Sequence, residues 1–133
     1  MKKVYSVTLF IGLLAAGCDS GTSATPTDAN WQLASFVIGD VALPVISPAS
    51  YTLRFNSDGT ANIKADCNFC NGGYQAQGTR LQMGALACTK AFCPPPSFSD
   101  RYIAALSSAT SFQRRGDELL VIFPEGRLRL TIG

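Results

Sequence analysis

The 133 residues are enough for one domain, or one domain with a tail, and exclude a multidomain enzyme. Hydrophobic residues make up 47% and charged residues 15%, the balance of a folding chain rather than a disordered one. The absence of histidine removes Ser-His and Cys-His catalytic pairs and the commonest zinc ligand.

Lys2 and Lys3 open the chain, and residues 4–16 form a mostly apolar run, too short to span a hydrocarbon core of about 30 Å as a helix. Small residues, Ala15-Ala16-Gly17, then lead into Cys18. This is the layout of an export signal. It also resembles the lipobox of bacterial lipoproteins, in which the cysteine receives a diacylglyceryl group before cleavage. Residues 1–17 are therefore expected to be removed and Cys18 to carry a lipid anchor. Removing Lys2 and Lys3 from the 11 basic residues leaves nine against 9 acidic ones, a net charge of zero. No surplus of positive charge remains to bind nucleic acid. Residues 18–29 are small and polar, without apolar periodicity, and are expected to act as a flexible tether.

A domain is expected over residues 30–133, and its dominant period is two. The stretch 31–38 opens it. Tyr51, Leu53 and Phe55 alternate with polar residues; Asn56-Ser-Asp-Gly59 supplies turn chemistry, and Ala61, Ile63 and Ala65 alternate beyond it. Segments on either side of Gln77-Gly78 and of Gly116-Asp117 repeat the pattern, and Pro124-Glu-Gly126 turns the chain into residues 127–132. About eight short strands result. Between them, Pro94-Pro-Pro96 ends a strand, and Ser97 with Asp100 has the spacing of a helix cap. Phe98, Tyr102, Ala105, Leu106 and Ala109 then recur at helical spacing. The expected fold is mainly β (α+β), a curled antiparallel sheet or partly open barrel with one packed helix.

Four cysteines lie in the body as C-x2-C, 17 residues, then C-x4-C. Spacing alone admits two structural disulfides, a zinc site, or a redox-active Cys67-Asn-Phe-Cys70 pair. Export to an oxidising compartment opposes free thiolates, and the hairpin setting differs from the βαβ setting of dithiol oxidoreductases. The stretch Cys67-Asn-Phe-Cys-Asn-Gly-Gly-Tyr74, followed by Leu86-Ala-Cys-Thr-Lys-Ala-Phe-Cys93, resembles the META domain family, also called HslJ-like. Cys67, Asn68, Gly72 and Tyr74 match its first element; Leu86, Thr89 and Cys93 match its second; Trp31 and Leu33 match its opening Trp-x-Leu. Three positions depart from the family pattern. Asp66 replaces a glycine, Cys70 an aromatic residue and Cys88 a serine. The resemblance implies a small, mainly-β envelope domain, often found on lipoproteins, linked to stress tolerance or secretion, and without established catalytic residues. It also implies a pairing. Cys67 and Cys93 both stand at family cysteine positions, whereas Cys70 and Cys88 are additions that arrive together. A nested pattern, 67–93 around 70–88, follows, and it suits antiparallel strands.

The remaining chemistry is sparse. Asp40, Asp58, Asp117 and Glu125 fall in turns, where acids are ordinarily solvated. Arg114, Arg115, Arg127 and Arg129 suggest a basic strip, with Arg127 and Arg129 on one face of a strand. No Gly-rich phosphate loop or nucleophile elbow is present. The expectation is a non-enzymatic, periplasm-facing, monomeric lipoprotein. It uses no cofactor, metal or nucleic acid, and is partnered by the membrane through Cys18 and by an unidentified envelope protein. The alternative is a small inhibitor-like or ligand-binding barrel acting through loops such as 39–50. An exposed apolar loop or open cavity favours that alternative; a filled interior favours the first reading.

Overall fold

Alternation over Tyr51–Phe55 places Tyr51, Leu53 and Phe55 on one side of a strand, and all three are buried. The computed structural model, which describes residues 25–133, turns this strand at Gly59 (φ +90°) into its antiparallel neighbour. Glycine meets that backbone demand without a Cβ penalty. Residues 1–17, expected to be an export signal, and Cys18, the expected lipidation site, lie outside the described residues.

The strands are β1 (Trp31–Ile38), β2 (Val41–Leu43), β3 (Tyr51–Phe55), β4 (Thr60–Ala65), β5 (Asn68–Gln77), β6 (Arg80–Cys88), β7 (Ser111–Arg115), β8 (Glu118–Phe123) and β9 (Gly126–Ile132). A 3-10 turn covers Pro48–Ser50, and one helix, α1 (Ser99–Ser107), lies between β6 and β7. All pairings between strands are antiparallel. Strands β1 and β3 to β9 form a closed eight-stranded barrel, and β2 pairs with β1 outside it. The mainly-β fold with one packed helix is as expected, but the barrel is closed rather than partly open. Closure comes from β1 and β9, paired from Trp31–Ile132 to Ile38–Gly126. The β6–β7 seam is the thin one, with a single paired position, Arg80–Ser111.

Inward residues from every side fill the interior. Trp31, Leu33, Phe36, Leu53, Phe55 and Phe112 are all fully buried. Each such side chain contributes on the order of 1.5–3 kcal/mol. Helix α1 covers one end with Tyr102, Ala105 and Leu106. Its cap differs from the Ser97 expectation. The cap position is Phe98, whose side chain makes no capping bond, and Ser97 instead accepts a hydrogen bond from the Ser99 N–H at 3.3 Å. Phe98 is held by other contacts: its ring stacks on Tyr51 at 4.4 Å and meets Phe36 edge-on at 5.3 Å. Its N–H also donates to the Tyr51 hydroxyl at 3.1 Å.

Residues 25–29, assigned to the tether by composition, lie against the barrel. Trp31 Nε1 donates to the Pro26 carbonyl at 2.9 Å, Thr27 bridges to Phe55, and Ala29 is buried. Small polar composition hides this docking, because one indole N–H and one backbone bridge provide it. No helix among the described residues is long and apolar enough to cross a membrane.

Candidate functional site

The β4–β5 turn organises the most elaborate part of the surface. Asp66 sits there at φ +59°, with its N–H bonded to the Ser50 carbonyl at 2.7 Å. A left-handed backbone explains why a glycine serves at this position. Aspartate is among the few other residues that enter that region routinely.

The next two residues hold a loop of the chain that has no regular structure. Cys67 is bonded to Cys93 and Cys70 to Cys88, with Cα–Cα separations of 5.6 and 4.1 Å. The nested pairing is thus present, and Cys70 faces Cys88 directly in the β5–β6 register. With all four thiols consumed, the zinc and dithiol readings lose their ligands and nucleophile. No group of three potential metal ligands occurs among the described residues.

Asn68 is only 4% exposed and makes five hydrogen bonds. Its Nδ2 donates to the Ala91 carbonyl (3.0 Å), Ser99 Oγ (3.2 Å) and Cys93 Sγ (3.4 Å). Its Oδ1 accepts from the Ala91 N–H (2.7 Å) and Thr89 Oγ1 (3.0 Å). Thr89 in turn receives the Phe69 N–H on its hydroxyl and returns its own N–H to the Phe69 carbonyl. A buried amide satisfied on both its ends fixes the backbone it touches, because breaking any one bond strands a polar group. The loop 89–93 is therefore pinned at Thr89, Ala91 and Cys93.

Other motif residues support this arrangement from a distance. A Cβ on Gly72 would come within 2.4 Å of the Ala85 carbonyl, so only glycine fits where β5 and β6 shift register. The Tyr74 hydroxyl donates to the Asn56 carbonyl at 2.8 Å while its ring packs on Phe55 at 4.6 Å. Partial burial, and after it the Asp28 and Asp58 charges, raise the Tyr74 pKa. Trp31 and Leu33 lie in the core rather than at the loop, and Leu86 packs half-buried against the core.

The loop presents an aromatic crest. Phe92 is 83% exposed and Phe69 56%. Two clefts flank Phe92, one of about 310 Å³ bounded by Ser97, Asp100 and Arg101, the other of about 600 Å³ bounded by Leu86, Lys90 and Ile103. Sequence reasoning singled out neither Phe92 nor Ser99. The available signal was a large apolar residue set between Ala91 and a cysteine in a segment without periodicity.

Elsewhere the arrangement is plain. Asp58 accepts the Thr60 hydroxyl and N–H, which lower its carboxyl pKa. Asp40, Asp58, Asp117 and Glu125 lie in or beside four different turns rather than in one site. Arg127 and Arg129 do share the exposed face of β9, opposite buried Leu128 and Leu130. Arg129 pairs with Glu118 at 3.1 Å, an exposed contact worth at most about 1 kcal/mol. Arg114 leaves the expected strip. Its guanidinium lies 5.0 Å from the Trp31 ring centre and donates to the Thr25 carbonyl at 2.7 Å. The inward register of Phe112 carries Arg114 to the same side of β7, so it covers the barrel end instead of extending a basic face. The 39–50 loop exposes Val41 and Ile46 and borders a groove of about 560 Å³ against Pro95, Pro96 and Phe98.

A family model described as META domain matches residues 24–132. An NMR structure of a protein from Burkholderia xenovorans is similar, with a TM-score of 0.67 and 24% identity, over 81% of this chain and 83% of that one. A crystal structure of a DUF4847 family protein from Bacteroides vulgatus has a TM-score of 0.60 and 17% identity, over 80% and 93% of the two chains. A further NMR structure has a TM-score of 0.64 and 17% identity, over 83% and 96%. These likenesses show a shared fold. No curated protein matches the chain.

Proposed function

Taking as premise that this chain belongs to the META domain family, we propose that it is a non-enzymatic, lipid-anchored envelope module that binds a protein partner through the braced loop 89–93. One observation carries the reading: an aromatic side chain, Phe92, is exposed to 83% on a backbone fixed by Asn68 and the Cys67–Cys93 bond. Rigid aromatic anchors give binding energy at low entropic cost. The filled barrel supports a surface-acting module over a ligand-holding one. The exposed Val41 and Ile46 favour the alternative, an inhibitor-like protein acting through loop 39–50.

A photo-crosslinking side chain placed at Phe92 of the full chain, in its native membrane, tests the reading. A discrete protein adduct is expected from position 92 and not from Arg129, and an adduct from Val41 alone would favour the alternative. In the same cells, Cys18→Ser is expected to give a soluble or unprocessed form; a processed variant still in the membrane fraction would refute the anchor.

A further inference from the structure

Three features could carry an inference beyond partner binding. The outer edge of β2 is a candidate for strand addition, but the strand is three residues long and is followed by Pro44, which has no N–H. The groove beside loop 39–50 is lined by both Asp66 and Arg101, and no charge preference singles out a ligand. The third feature is the way the two sides of the Phe92–Cys93 peptide bond are tied to the fold.

On the N-terminal side of that bond, Ala91 is held through both its N–H and its carbonyl by the Asn68 side chain. On the C-terminal side, Cys93 is bonded to Cys67. The two anchors, Asn68 and Cys67, are consecutive residues where the β4–β5 turn enters β5. Between them the Phe92 side chain stands clear of the protein, with exposed Lys90 and Ala91 before it. Such a segment offers an exposed aromatic side chain on a backbone tied down on both sides. It is also poorly suited to leave as product. Hydrolysis of the Phe92–Cys93 bond consumes one water and yields a carboxylate on Phe92 and an ammonium on Cys93. Both new ends remain fastened to residues 67 and 68, so the amine stays beside the acyl group it left, and rejoining competes with release.

We propose that loop 89–93 is a substrate-like inhibitory loop. Its partner is a serine protease whose primary pocket accepts aromatic side chains, the hydrophobic slot of chymotrypsin-like enzymes. The proposal rests on the partner-binding reading and names the partner's class.

The test is inhibition kinetics with the folded, oxidised chain, using chymotrypsin and trypsin on small chromogenic substrates. The wild-type protein is expected to inhibit chymotrypsin competitively and trypsin not at all. Phe92→Ala is expected to weaken inhibition at least about 30-fold, the loss typical of a central anchor. Phe92→Arg is expected to move inhibition to trypsin; the exposure of position 92 makes both variants safe for folding. Asn68→Ala is expected to turn inhibitor into substrate, with rapid cutting between Phe92 and Cys93. Absence of chymotrypsin inhibition by the wild type, together with no gain against trypsin in Phe92→Arg, overturns the proposal. So does fast cutting of the wild-type loop without inhibition. A crosslinked partner at position 92 combined with either negative result removes the protease but leaves the partner-binding reading standing.

Discussion

At one end of the barrel Trp31 is sealed by Pro26, the 27–55 bridge and the Arg114 guanidinium, with its indole N–H satisfied by a carbonyl. At the other end Phe36, Tyr51, Phe98 and Tyr102 pack under α1, and the Asn68 strap crosses beside them. The first closure is one large apolar side chain covered by backbone and a single guanidinium. The second is an aromatic cluster braced by a polar amide and a disulfide. Apolar burial tolerates small shifts of its neighbours, whereas an amide with five bonds has one arrangement only. A surface that must be held in a single shape is therefore found beside the second.

The largest effect expected from breaking this comparison is at Trp31. Trp31→Ala removes a fully buried ring and should cost about 3–5 kcal/mol in denaturant unfolding, with the whole barrel losing stability together. Asn68→Ala should cost less, about 2–3 kcal/mol, because buried partners are left unbonded. Its distinguishing readout is local: amide exchange should rise at Thr89 and Ala91 and stay slow at β1 and β9. Uniform loss of protection would show that the strap is part of the core and not an attachment to it.

The smallest effect has the opposite sign. The Tyr102 hydroxyl is buried without a hydrogen-bond partner among the described residues, and burial holds it neutral far above the ordinary tyrosine range. Tyr102→Phe should leave stability unchanged or raise it by about 1 kcal/mol. A tyrosine whose folded pKa is raised stabilises fully below its unfolded value of about 10, and that contribution is lost as pH rises beyond it. The variant should therefore lose less stability than the wild type between neutral and strongly alkaline pH. A destabilised Tyr102→Phe would mean the hydroxyl has a partner after all.

Much of this was legible in the amino-acid order because hairpins are local. Gly59, Gly78 and Gly116 mark turns between alternating segments, and each stands at positive φ in such a turn. The buried stripe of α1 was equally visible. Closure of the barrel was not, since Trp31 and Ile132 carry no mutual signal across the chain. The β4–β5 turn was obscured by Asp66, a residue that reads as an ordinary surface acid until its backbone angle is known. The family resemblance pointed to Asn68, Thr89 and both cysteine pairs, yet it said nothing of what Asn68 binds. Its partners are backbone groups and a serine more than twenty positions away, which no periodicity encodes.

The position of the two covalent links along the chain sets an order of assembly. Cys70–Cys88 lies inside Cys67–Cys93, and the two bracket the β5–β6 hairpin, from the residue just before β5 to the loop after β6. The barrel, by contrast, is completed only when β9 reaches β1, the most distant pairing among the described strands. Contacts between near neighbours form faster than those that must first close a long loop. As the chain emerges in sequence, the cross-linked hairpin is the first unit able to become permanent, and the later strands wrap onto a piece whose shape is already decided.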